Sequence, residues 1–286
     1  MPLPTLELPC SPTLSLSPKP DKMSQLTSLF LVLLCCGKHH LFLSRTTYHV
    51  ISIQEETMTT HQATGTVSES RINSFLAQVY LLMSIGLVIT ALTAGWVSTN
   101  LRFQYRLFTQ PWLGFGLFIL QIIIVVGLSA AVMRLSTGAA ALLFLFYSAL
   151  TGVTFSSLFL VYTNEQITSV FWVAAGMFLL MSLVGLVLKK DMSKAGGFLL
   201  MMLLGWIVAW FFSFLFNLSN FNWMLTFVGI ALFAGLTAWD TQRLKQMGQQ
   251  LDSHPARGGL IVMGALSLYL DFINLFLLLL RASSRN

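Results

Sequence analysis

Hydrophobic and polar positions divide this chain into two unequal parts. From Phe75 onward, long apolar stretches alternate with short polar ones, seven times over. They run 75–97, 112–133, 138–162, 168–188, 197–216, 223–240 and 258–280. Each is close to the roughly 20 residues that an α-helix needs to cross about 30 Å of hydrocarbon. The runs are continuous and lack the apolar–polar alternation of barrel strands, so they predict helices. Asn100, Pro111, Asn164 and Pro255, with the Gly- and Asn-containing stretches 136–138, 196–197, 217–222 and 258–259, separate them. No proline lies inside a segment except near its start, where Pro111 is tolerated. The pattern predicts an all-α polytopic membrane protein with seven transmembrane helices over 75–286 and a polar lead-in over 58–74.

Residues 1–57 follow a different pattern. Six of the eight prolines fall in the first 20 residues, and the one apolar run, 26–36, is about half a membrane span. It follows Lys19 and Lys22 as a signal-like core would, but no small-residue cleavage site follows it. The expectation is a low-complexity, non-functional extension; the sharper alternative is that translation starts at Met58.

Composition agrees with the segment count. The chain of 286 residues is 56% hydrophobic, only 9% charged, and has a mean hydropathy of +0.77. Soluble domains carry about 25% charged residues. The net charge of +6 comes from scattered residues at segment ends, without a dense basic run, so nucleic acid is not an expected partner. Those positives bear on topology instead. With the N-terminus inside, Arg71, Arg134, Lys189, Lys190, Lys194, Arg243, Lys245 and Arg257 all face the cytoplasm. Only Arg102, Arg106, Arg281 and Arg285 face out, which predicts a cytoplasmic N-terminus and an outer C-terminus. Cys10, Cys35 and Cys36 all precede the segments, so no thiol or disulfide chemistry is available within them.

Two charges break the apolar pattern. Asp240 stands in "GLTAWDTQ" of the sixth segment and Asp271 in "LSLYLDFINLF" of the seventh. A carboxylate at this depth costs about 2.5–3.5 kcal/mol on insertion scales, and more in simulations, unless it faces protein or water. Helical spacing supplies such faces. Gly264, Ser267, Asp271 and Asn274 form one small and polar stripe, and Thr226, Gly229, Thr237 and Asp240 another. Stripes of this kind let helices approach closely in lipid. The rest of the seventh segment, including Leu266, Leu268, Tyr269, Phe272 and Ile273, is large and apolar.

Two carboxylates held close in a low-dielectric site cannot both ionise cheaply, so such a pair titrates as a unit. Deprotonated, Asp240 and Asp271 offer hard oxygen ligands to a cation such as calcium, with the Asn274 carbonyl one turn on. The plainer alternative puts Asp240 at the inner end of the sixth helix, paired with Arg243 or water. The third segment carries Tyr147, Ser148, Thr151, Thr154, Ser156 and Ser157. In lipid such hydroxyls usually bond their own helix or a neighbour. Trp112, Trp172, Trp206, Trp210 and Trp223 fit an interfacial belt and packing.

Enzyme chemistry lacks its parts. An intramembrane aspartyl protease needs glycines before its second aspartate, where this chain has Leu268, Tyr269 and Leu270. His39, His40, His49, His61 and His254 all lie outside the segments, so there is no serine–histidine dyad and no zinc set. No lysine in the seventh segment could hold retinal. The chain is therefore not expected to be an enzyme or to hold a resident cofactor.

"LTAWDTQRLKQMG", "GALSLYLDFINLFLLLLR" and, in the third segment, "LFYSALTGVTFSSLFLVYT" resemble the bacterial inner-membrane branch of the Bax inhibitor-1 (TMBIM) family. The resemblance spans all seven segments and excludes residues 1–57. It implies a central seventh helix with the other six around it as two groups of three. It also implies a pH-sensitive cation leak, chiefly for calcium, gated by an aspartate pair that maps onto Asp240 and Asp271. Family members carry a basic residue on the second helix that latches an aspartate; Arg134, at the end of that segment, is the nearest match here. An acidic residue found earlier in the bundle in some members has no counterpart in segments one to five. The resemblance also admits a regulator or scaffold that binds other membrane proteins, such as a protease.

Overall fold

The computed structural model describes residues 69–286 except 101, 105, 107–109, 133, 189–192, 217–218, 251–256 and 285–286. The extension 1–57, most of the polar lead-in, and the Lys189–Lys190 pair lie outside the described residues. Among the described residues, seven helices are long and apolar enough to cross a membrane, and there is no strand. They are α1 (Glu69–Thr99), α2 (Pro111–Ala131), α3 (Thr137–Phe155), α4 (Asn164–Val187), α5 (Ser193–Leu215), α6 (Ser219–Gln250) and α7 (Arg257–Ser283). A break at Ser156 and Ser157 follows α3, and one further turn, Leu158–Val161, completes its span.

Local chemistry sets several of these ends. Pro111 occupies the first turn of α2, where its missing N–H is not needed. Ser136 caps α3 by accepting from the Ala139 N–H. A capping box opens α4: the Thr163 hydroxyl accepts from the Gln166 N–H, and the Gln166 side chain accepts from the Thr163 N–H. That box starts α4 four residues before the apolar run begins. The largest departure from the sequence pattern is α6, which continues ten residues past Asp240 to Gln250. Arg243 and Lys245, expected in a loop, are helix residues.

The seventh helix occupies the centre. In its most apolar stretch 89% of residues are buried, against 28–50% in the other six. Leu266, Leu268, Tyr269, Phe272 and Ile273 are all buried, so large side chains are enclosed on every side of the helix. Two groups flank it. In the first, α3 packs on both α1 and α2; in the second, α6 packs on both α4 and α5. The central helix packs mainly on α1, α3, α4 and α6, leaving α2 and α5 towards the outside. Within the second group, Gly185 of α4 lies so close to the Ala238 carbonyl of α6 that a Cβ would overlap it. Small residues allow that approach where lipid supplies no hydrophobic drive.

The outer surface is apolar. Trp112, Trp172 and Trp223 are exposed there, as a belt requires. Trp206 and Trp210 are core residues instead. The Trp206 indole N–H donates to the Leu225 carbonyl at 2.7 Å, and Trp210 lies under the Arg281 guanidinium.

Candidate functional site: two aspartates on facing helices

The seam between α6 and α7 is built around small residues. A Cβ on Gly264 would sit 2.6 Å from Leu244 of α6 and 3.2 Å from Val79 of α1. At the other end, a Cβ on Gly229 of α6 would sit 3.0 Å from Leu278 of α7. These two meetings make α6 and α7 antiparallel and fix their register. Asp271 is seven residues beyond Gly264, two turns on and hence on the same face. Asp240 is one turn before Leu244, again on the same face. Both aspartates therefore lie on the surfaces by which α6 and α7 meet. In this register Asp271 is level with Leu236 and Thr237, and Asp240 with Ser267 and Leu268. The offset is a single turn, about 5 Å along the axes.

Neither aspartate is at an interface with water. Asp240 is 3% exposed and Asp271 is 0% exposed. Asp240 is not the end of its helix, so that part of the plainer reading is corrected. Its other part has support: Arg243, one turn on, acts electrostatically on Asp240 and lies against the Trp239 ring at 5.4 Å. Asn274 is buried on the same stripe, with its amide nitrogen donating to the Leu270 carbonyl at 2.8 Å. Arg134 is not brought to the site; it is exposed in the turn after α2. Arg243, supplied by α6 itself, is a basic residue beside Asp240.

Residues that periodicity did not single out fix the surroundings. Thr241 follows Asp240, and its hydroxyl lies 3.1 Å from the Tyr80 hydroxyl of α1 and 3.5 Å from the Ser182 hydroxyl of α4. One residue thus joins three helices beside the carboxylate. A turn further, Gln242 and Lys245 donate to the Leu188 and Leu186 carbonyls at 2.9 and 2.8 Å. Those carbonyls belong to the last turn and cap of α4, where a cation also suits the helix dipole. Sequence spacing counted Lys245 only as a topology charge.

A second polar cluster lies inside the first group. Tyr269, grouped by sequence with the large apolar residues, places its hydroxyl 2.7 Å from Thr90 Oγ1. Thr90 in turn donates towards the Gly86 and Ser148 carbonyls, both at 3.0 Å. The α3 hydroxyls behave as their chemistry in lipid predicts. Ser148, Thr151 and Thr154 each bond the carbonyl four residues back, and Gln121 of α2 also donates to Thr154 Oγ1 at 2.9 Å.

The arrangement resembles known proteins along almost all of its described length. The family model described as "Inhibitor of apoptosis-promoting Bax1" matches residues 72–286. The inner membrane protein YbhL of Escherichia coli K12 is 44% identical over 212 residues, covering 73% of this chain and 91% of the relative. An uncharacterized protein of Borreliella burgdorferi is 41% identical over 210 residues, covering 73% and 90%. An uncharacterized membrane protein of Streptococcus pyogenes serotype M1 is 34% identical over 227 residues, covering 77% and 96%. With seven membrane-crossing helices and a match of this extent, the chain belongs to the Bax inhibitor-1 family.

Proposed function

We propose that this protein is a pH-sensitive leak pathway for cations, calcium first among them, with Asp240 and Asp271 as the ion-binding and proton-binding pair. One observation carries the reading: two buried carboxylates stand on facing surfaces of adjacent antiparallel helices, one turn apart. Bundles retain intramembrane carboxylates where they serve ion or proton paths. In this reading the two carboxyls titrate together with one proton between them, and proton loss turns them into a hard-oxygen site. Charged and titratable groups nearby include Arg243 and Lys245 of α6, Tyr80 of α1 and Tyr269 of α7. Arg243 competes with a cation for Asp240, giving the site an internal counter-ion when no cation is present.

Calcium takes 6–8 oxygens, and two carboxylates with the Asn274 carbonyl supply fewer. Among the described residues no group of three or more His, Cys, Asp or Glu comes together. Water would complete the shell, so binding is weak enough for release, which suits passage rather than storage. The name of the Escherichia coli relative supports an inner-membrane location, and the distribution of basic residues supports a cytoplasmic N-terminus. The test is calcium flux through purified protein in liposomes. Wild type should pass calcium, and Asp271→Asn should alter its dependence on pH. Absence of flux from wild type would leave regulation of other membrane proteins as the better account.

A further inference from the structure

The interruption of α3 lies away from the aspartates and has its own chemistry. At Ser156 and Ser157 the helix tightens, with Ser156 N–H to Val153, Ser157 N–H to Thr154 and Phe159 N–H to Ser156 all at 3.3 Å. Serine hydroxyls cap the carbonyls at this break: Ser156 Oγ donates to Val153 at 2.7 Å, and Ser157 Oγ to Thr154 at 2.9 Å. The Ser156 carbonyl is covered from outside the helix. Gln104, between α1 and α2, donates its amide nitrogen to that carbonyl at 2.6 Å. Gln104 is 1% exposed and Ser156 is 0% exposed. The Gln104 Oε1 atom is buried on the same amide and has no hydrogen-bond partner among the described residues. An unsatisfied buried oxygen costs about 1–3 kcal/mol, and it needs a water, an ion or a function to account for it.

Ring contacts place the break relative to the acid pair. Phe144 and Tyr147 of α3 meet Tyr269, and Phe155 meets Phe276, so α3 runs parallel to α7. The break is therefore about six residues, or about 9 Å, beyond the level of Asp271 towards the C-terminus of α7. Irregular backbone survives at membrane depth where it is buried in protein or lines a water-filled cavity, and in transporters such interrupted helices present backbone carbonyls to cations.

We infer that the α3 break is a second coordinating station for the permeating cation, with Gln104 Oε1 as its entry ligand. The Val153 and Thr154 carbonyls become further ligands when the serine hydroxyls swing away. This rests on the leak reading above. A neutral-oxygen station one step from a charged one holds the ion weakly enough to pass it on.

The test uses the full chain in liposomes, with calcium as the probe. Gln104→Leu removes Oε1 together with the amide bond to the Ser156 carbonyl and adds no titrating group, so half-saturating calcium should rise by roughly tenfold while the pH profile set by the aspartates stays in place. Wild-type saturation behaviour in that variant would overturn the station and leave the aspartate pair standing. A wild type that passes no calcium would overturn both. A second measurement does not depend on that variant folding. Ser156→Cys, with Cys10, Cys35 and Cys36 replaced by serine, should react with a charged methanethiosulfonate, and calcium should slow the reaction. An unreactive thiol under conducting conditions would overturn the station.

Discussion

The hydroxyls of Tyr269 and Thr90 share a hydrogen bond of 2.7 Å, tying the central helix to α1 only two residues before Asp271. Tyr269 and Asp271 leave α7 on opposite sides, about 200° apart at helical spacing. Tyr269 therefore meets the first group on one side of the central helix, while Asp271 lies on the Gly264 face, which meets α6 and, at Val79, α1. Tyr269→Phe removes the hydroxyl and keeps the ring among Phe144 and Tyr147. It should cost about 1 kcal/mol of stability, read as a lowered melting temperature in detergent. Its pH profile of flux should stay like wild type, since both aspartates remain.

Gly264 and Ile273 test the enclosure of α7. Leu244 and Val79 already crowd the position a Gly264 Cβ would take. Gly264→Leu should destabilise the bundle by about 1–3 kcal/mol or more, through overpacking at the seam. Ile273 is 2% exposed on another side of the helix. Ile273→Ala should leave a cavity and cost about 2–5 kcal/mol. Thermal melts of both variants check this; an unchanged Ile273→Ala protein would mean that lipid, not protein, covers that side.

Lys245 holds the end of α4. Its ammonium donates to the Leu186 carbonyl, beside the Gln242 bond to Leu188. Lys245→Met keeps most of the stem and removes the donor. Hydrogen exchange should speed up at amides in the last turn of α4, and stability should fall by about 1.5–3 kcal/mol, the range for bonds to charged groups. Unchanged exchange in that turn would count against the latch.

The seven helices were legible because membranes demand continuous apolar runs, and both aspartates stood out because charge is rare inside them. The small stripe on α7 was legible for the same reason, since helical spacing alone puts Gly264, Ser267, Asp271 and Asn274 on one face. The end of α6 was not. Hydropathy stops at Asp240, yet the helix continues because Thr241, Gln242 and Lys245 find partners on α1 and α4 that only the fold supplies. The role of Tyr269 was hidden in its ring, whose bulk fits a core position whether or not the hydroxyl is bonded. Arg134 was the nearest basic residue to a second-helix latch by sequence position, but the turn after α2 leaves it exposed, and Arg243 is the residue beside Asp240.

The measurement that bears most directly on the account is calcium flux across a pH series, with wild type, Asp240→Asn and Asp271→Asn reconstituted side by side. A shared proton requires both carboxylates. Each single variant should therefore lose the pH dependence of wild type, with Asp271→Asn losing it completely. Flux that follows the wild-type pH profile in both variants would contradict the account.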